Sequence, residues 1–218
     1  AIALGLGLMA MLVLTVLQND LLKDWQMSLP PETPNRFLLN IQTDQLASLA
    51  NFFEQHDIPE PDWFPMVRGR LTAINGQPVQ VEMYKDIRKK QLLNREFNLS
   101  WSGELQSDNE ITAGRWWSEN QPMTESEISF EEEIARIIGV NIGDRLTFNI
   151  ADQLFEATIT NLRKVDWDTF RVNFFAIARP GYLEHYPTYY VTSFHLPADK
   201  TKVLHELVRE YPNLLIID

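Results

Sequence analysis

The sequence predicts an α+β protein in which the end of a membrane-spanning helix leads into a split β-α-β layer carrying an inserted, mostly-β module. Three observations predict this. Residues 1–17 form an unbroken apolar run, a strand-helix-strand pattern soon after it recurs at the far end of the chain, and several alternating segments separated by turn signals lie between the two.

The opening run, AIALGLGLMAMLVLTVL, contains no charge, and Thr15 is its one polar side chain. At a helical rise it is roughly 25 Å long, against about 30 Å and about 20 residues for a bilayer core. It reads as most of a spanning helix whose start has been cut away, with Leu8, Leu12, Leu14 and Leu17 in the membrane. A secretory signal peptide would need a basic leading region and a small-x-small cleavage site, and neither occurs around Gln18–Asp24. A buried core helix would show a polar stripe, and none is present. The flank with Asp20, Lys23 and Asp24 lacks a basic excess, which fits the non-cytoplasmic side.

The chain has 218 residues, a formal charge of -11 and no cysteine. An acidic chain repels nucleic acid, so no nucleic-acid partner is expected. Disulfides and thiolate metal sites are excluded.

Pro30, Pro31 and Pro34 make a stiff linker. Phe37, Leu39 and Ile41 then alternate with polar or outward residues as a strand. A helix follows with Leu46, Leu49, Ala50 and Phe53 on one face, capped by Thr43 or Asp44. A second strand, about residues 66–74, turns at Asn75-Gly76, a strong hairpin signal. At the far end Tyr190, Thr192, Phe194 and Leu196 alternate. A helix with Leu204, Leu207, Val208 and Tyr211 on one face follows, then a strand at 214–217. The two matching β-α-β units predict a ferredoxin-like layer of two helices on one sheet, with everything between them inserted.

Within the insertion, residues 82–94 permit a helix and bring Lys85, Arg88, Lys89 and Lys90 close together: a solvated face, or a contact to anionic lipid or an acidic partner. Phe97, Leu99 and Trp101 resume a strand. Nine acids between Glu104 and Glu133 face the single base Arg115 and read as a solvated acidic face, since no calcium-loop spacing occurs. Ser129-x-x-Glu132 is a capping box for a short helix ending at Gly139. Gly143-Asp144 turns into strands at Leu146–Ile150 and, after Asp152-Gln153, at Phe155–Ile159. A last strand is expected over residues 170–178.

Chemistry-bearing patterns are sparse. His56, His185, His195 and His205 form no ligand pair, and no nucleophile elbow, phosphate loop or dinucleotide fingerprint is present. No cofactor or metal is therefore expected. Asp166 and Asp168 would share a face of an extended segment, as structural ion-pair partners of Arg163, Lys164 and Arg171 or, alternatively, as an acid-base pair. Trp116, Trp117, Trp167, Phe170 and Arg171 cluster near turns as a candidate partner or cargo surface, core packing being the alternative for the aromatics.

Gly114-Arg115-Trp116-Trp117, the series Ala135-x-x-Ile138-Gly139-x-x-x-Gly143-Asp144, the segment from Arg163 to Phe175 and Pro30-Pro31-x-x-Pro34-Asn35-Arg36-Phe37 resemble segments of MacB/FtsX-type ABC transporter permeases, the last two those of YbbP-like permeases. The resemblance covers essentially the whole chain. It implies a spanning-helix end and stalk at 1–24, a porter-like subdomain at 25–100 and 186–218, and a sabre-like subdomain at 101–185. It further implies a bacterial inner-membrane protein with its folded domain in the periplasm and no enzymatic activity of its own. A cytoplasmic ABC ATPase would drive it by mechanotransmission, its companions would be a periplasmic lysophospholipase or thioesterase and membrane lipid, and its cargo would be lipid-like or hydrophobic. Two other classes stay open: a membrane-anchored hydrolase, for which no nucleophile and base are recognisable, and an anchored binding or scaffold module without transport.

Overall fold

The structure, a computed structural model, describes Met11, Thr15, residues 33–118 and residues 125–217. The predicted spanning run, with Leu8, Leu12, Leu14 and Leu17, lies outside the described residues, apart from Met11 and Thr15. Among the described residues no helix is long and apolar enough to cross a membrane. The chain divides into residues 1–33 and 34–218, and every element below belongs to the second unit.

In chain order these are β1 (Arg36–Ile41), α1 (Leu46–Gln55), β2 (Phe64–Ile74), β3 (Gln77–Pro78), α2 (Ile87–Asn94) and β4 (Phe97–Trp101). Then come β5 (Asn109–Gly114), β6 (Glu127–Glu131), α3 (Glu132–Ile138), β7 (Arg145–Ile150), β8 (Gln153–Val165) and β9 (Ala176–Ala178). The chain closes with β10 (Tyr189–Phe194), α4 (Lys202–Glu210) and β11 (Leu215–Ile217).

The two terminal β-α-β units interleave. Their strands run β11-β1-β10-β2, every neighbour antiparallel, so each unit's strands alternate with the other's. Leu38, Ile41, Leu49, Phe52, Phe53, Phe194, Leu207 and Tyr211 join in one core between this sheet and its helices. One feature departs from simple alternation. Asn40 takes φ 66° and the register of β1 slips between Leu38 and Ile41, so Leu38 and Ile41 face the helices while Phe37 and Leu39 face the other way. Val208, expected inward, is exposed, and Val203 packs on the core instead.

The remaining strands close on themselves. β2 pairs with β4, β4 with β9, β9 with β6, β6 with β8, β8 with β7, and β7 back with β2. This is a six-stranded barrel, and closure removes the exposed edges that open sheets carry. Val67, Leu71, Phe97, Leu99, Phe130, Phe148, Phe155 and Ile159 belong to its core, which also takes Leu92 and Leu93 of α2 and Ile134 and Ile138 of α3. The packing therefore changes inside β2, whose Phe64–Met66 pairs with β10 and whose later part builds the barrel. A third core joins the two layers: Phe37, Leu39, Met66 and Val191 on one side, Trp116, Trp117, Val172, Phe174 and Ile177 on the other.

Local signals explain the smaller elements. The Asn75-Gly76 hairpin forms with both residues at positive φ, 51° and 73°, as its turn type demands. The Asn75 amide donates to the Asp144 carboxylate at 2.7 Å, binding this hairpin to the turn before β7. Gly139 ends α3 in the left-handed region, φ 79°, where only glycine avoids a Cβ penalty. The α3 cap is Glu131, accepting from the Ile134 N–H at 2.7 Å. Ser129 lies within β6 and is fully buried, so the predicted capping box does not form. The helix expected from residue 82 begins at Ile87, where the Asp86 carboxylate accepts from Arg88 and Lys89 N–H, and the strand expected over 170–178 shrinks to β9.

Candidate partner surface at the Trp167 turn

The aromatic residues singled out in the sequence separate into two groups. At the end of β5, Gly114 has φ 77°, and a Cβ there would collide with the Thr160 carbonyl oxygen and approach the Asn161 Cα at 2.9 Å. This close approach delivers Trp116 and Trp117 into the joint between the layers. Their rings lie against each other tilted by 32° with centroids 4.0 Å apart, and their indole N–H groups donate to the Gly103 and Ser102 carbonyls, each at 2.9 Å. Trp117 is 6% exposed and Trp116 half-buried. Trp117 therefore takes the packing alternative, and the pair is a clasp between sheets.

Trp167 is built the opposite way. β8 stops at Val165, and Trp167–Thr169 form one 3-10 turn. The Asp166 carboxylate accepts from the Asp168 N–H at 3.1 Å, and the Asp166 N–H donates to the Asp108 carbonyl at 2.9 Å. The Asp108 carboxylate gathers the Thr169 hydroxyl at 2.9 Å, the Asn173 amide at 2.8 Å and the Asn109 amide at 3.0 Å. Phe170, half-buried, leaves the turn at φ 55°, a conformation that costs a non-glycine residue about 1 kcal/mol or more. Exposed Arg171 donates to the Ser107 hydroxyl at 2.8 Å. The predicted shared face and ion pairs of Asp166 and Asp168 are not observed: a turn replaces the extended segment, Asp166 caps it, and neither aspartate forms an ion pair among the described residues.

Under the turn lies Arg163, with no solvent exposure. It donates to the Asn109 side-chain oxygen at 2.8 Å and to the Phe174 carbonyl, while its Nε is buried without a partner. Burial lowers its pKa to about 10, the charges of Glu131 and Asp108 opposing the shift. The acidic stretch is correspondingly less solvated than expected. Glu131 is buried, and Glu127 pairs with Arg179 at 2.7 Å, both largely shielded.

On this support Trp167 stands 47% exposed, its ring T-shaped against Phe175 at 5.3 Å. On one side a cleft of about 450 Å³ has Leu92, Ile134, Ile137 and Phe175 as apolar lining and Arg88, Arg95 and Glu133 as charged lining. On the other a cleft of about 620 Å³ is lined by Asp108, Glu110, Lys164, Asp166 and Asp168. The Arg95 guanidinium lies over the Phe175 ring at 5.3 Å. A pre-positioned indole between an apolar and an acidic cleft is suited to association, because Trp and Arg dominate binding energy where contacts are desolvated. The histidines lie elsewhere. His56 bonds Glu206 at 2.9 Å, and the Phe52 carbonyl followed by Glu206 holds its pKa above the ordinary value. His185 sits against Tyr186. Among the described residues no cluster of three or more His, Cys, Asp or Glu could hold a metal.

The sequence reading missed Arg163, Asn109 and Asp108 as the support of this turn. A signal existed in β8: Phe155, Ala157, Ile159, Asn161, Arg163 and Val165 are buried at every second position. The alternation runs past Ile159 through two polar residues, which marks them as interior.

No family model matches the chain. The chain is 40% identical over 216 residues to the uncharacterized ABC transporter permease YbbP of Escherichia coli, a match covering 99% of this chain and 25% of that protein. The chain thus spans about a quarter of the curated relative's length. The resemblance to YbbP-like permeases read from the sequence holds over this quarter. A solved domain from Porphyromonas gingivalis, assigned to a permease protein, superimposes with a TM-score of 0.35 at 11% identity, covering 87% of this chain and 91% of that one.

Proposed function

We propose that this chain is the extracytoplasmic domain of an ABC transporter permease, and that it couples ATP hydrolysis on a cytoplasmic partner to work on hydrophobic or lipid-like cargo in the periplasm. The observation that carries the transporter reading is the 40% identity to a permease along 99% of the chain. In this reading the β-α-β layer is the porter-like part and the barrel the sabre-like part. Movement of the membrane helices reaches the first layer, passes through the continuous strand β2 and the Trp116–Trp117 clasp, and repositions the barrel. Trp167 and its two clefts are the surface that meets cargo or a periplasmic partner such as a lysophospholipase or thioesterase. The rigid turn supports this role, since a preorganised contact group loses little entropy on binding.

The test is to purify the full-length protein from solubilised membranes of its own cells and to add protease to intact spheroplasts. Co-purification of an ABC ATPase, with cleavage of the domain from outside, is the expected result. A soluble species near the 25.3 kDa of this chain, or a membrane protein without an ATPase, overturns the reading.

A further inference from the structure

The segment from Met83 to Arg95 is charged unlike the rest of the molecule. It carries five of the chain's 19 lysines and arginines and only one of its 30 acidic residues. The structure shows why this is a surface and not a core element. Leu92 and Leu93 are the buried residues of α2 and supply its packing on the barrel. Met83, at the end of a 3-10 turn, and Ile87, at the start of α2, are left 74% and 72% exposed. Around them Lys85 and Arg88 are exposed, and Lys89 and Lys90 half-exposed. Two contacts hold the cations in place: the Lys89 ammonium lies over the Tyr84 ring at 4.2 Å, and Arg88 meets Glu133 at 3.3 Å. The Asp86 cap fixes the first turn of the helix beneath them.

We infer that this patch docks on an anionic phospholipid surface, with Met83 and Ile87 entering the headgroup region and Lys85, Lys89 and Lys90 meeting phosphates. Two exposed apolar side chains in a segment with five cations and one acid match an interface that is apolar below and negative above. Charge complementarity favours such a surface over a neutral one. The outlying cations act additively, and each lysine or arginine near an anionic membrane contributes about 1 kcal/mol, or roughly fivefold in the docked population. This docking is independent of the transporter reading, because it needs neither an ATPase nor a cargo.

The chain contains no cysteine, so Ile87→Cys can carry a single environment-sensitive fluorophore in the whole 218-residue chain, assembled in nanodiscs of phosphatidylglycerol or of phosphatidylcholine. The same label at Val208→Cys, exposed on α4, is the control. The expected result is brighter, blue-shifted emission at position 87 only, in anionic discs only, quenched by spin-labelled lipid and reversed at about 0.5 M salt, where the Debye length falls to roughly 4 Å. Lys85→Gln, Lys89→Gln and Lys90→Gln together should reduce the docked population roughly 100-fold. Equal emission in both lipids overturns the inference. So does a signal that disappears on dilution of the discs without lipid quenching, which would assign the patch to a second copy of the chain.

Discussion

Two tryptophan motifs of this molecule both lie next to the end of a strand and differ in what they do. Trp116-Trp117 follows a glycine whose backbone lies so close to β8 that the chain turns inward, and both indole N–H groups find carbonyls in the 102–103 segment. Trp167 follows a capping aspartate that closes a turn, and its ring is carried outward on a hydrogen-bonded pedestal. Residue type does not separate the two. What separates them is where the backbone goes just before the ring and whether a backbone carbonyl lies in reach of the indole N–H, because a polar group taken out of water must be paired.

Substitutions can break or sharpen this contrast. The largest effect is expected at the clasp: Trp117→Ala should lose about 3–5 kcal/mol of unfolding free energy, read from urea denaturation with fluorescence of the remaining tryptophans. Wild-type stability in this variant would return Trp117 to the surface group. Next comes the pedestal. Arg163→Met leaves the Asn109 oxygen and the Phe174 carbonyl without their donor and should cost about 2–3 kcal/mol, part of the loss being offset by removing a desolvated charge. Gly114→Ala forces a Cβ against the Thr160 carbonyl at positive φ and should cost about 2 kcal/mol. A neutral result there would mean that the approach of β5 to β8 relaxes freely.

Trp167→Ala supplies the opposite pole. Half its surface is already wet, so a stability loss below about 1 kcal/mol is expected. Under the proposed function, the same variant in the full-length protein should weaken coupling of ATP hydrolysis to cargo or partner binding by roughly tenfold or more. Loss of stability without loss of coupling would make Trp167 a packing residue like Trp117. The smallest effect lies far from both motifs. His56 titrates above its unfolded value because the Phe52 carbonyl and Glu206 favour its charged form. Its contribution is thus complete below the unfolded pKa and is lost as pH rises through the folded one. Glu206→Gln should flatten this dependence above the ordinary histidine pKa of about 6.5, by no more than about 0.5 kcal/mol because the pair is partly exposed. An unchanged slope would mean that the Phe52 carbonyl alone sustains the shift.

The sequence by itself determined the two β-α-β units, the Asn75-Gly76 hairpin, the strands at Leu146–Ile150 and Phe155–Ile159 and the glycine stop of α3, all set by interactions a few residues long. Its wording also carried the permease resemblance that the 40% identity bears out. Tertiary structure alone decided that β2 and β4 close a barrel with strands far away in sequence, Arg70 opposite Asn149 and Leu99 opposite Ala176, because closure depends on which edges meet and no local period records that. It also decided the flip at Asn40, the inward Trp117 and the outward Trp167. Each rests on a partner distant in sequence: Asn213, which exchanges hydrogen bonds with Asn40, the 102–103 carbonyls for the indoles, and Asp108 beneath the turn. Arg163 lies between the two cases. Its position in the alternation of β8 was written in the chain, but burying a guanidinium is costly unless hydrogen bonds compensate, and only the folded arrangement supplies Asn109 and the Phe174 carbonyl to provide them.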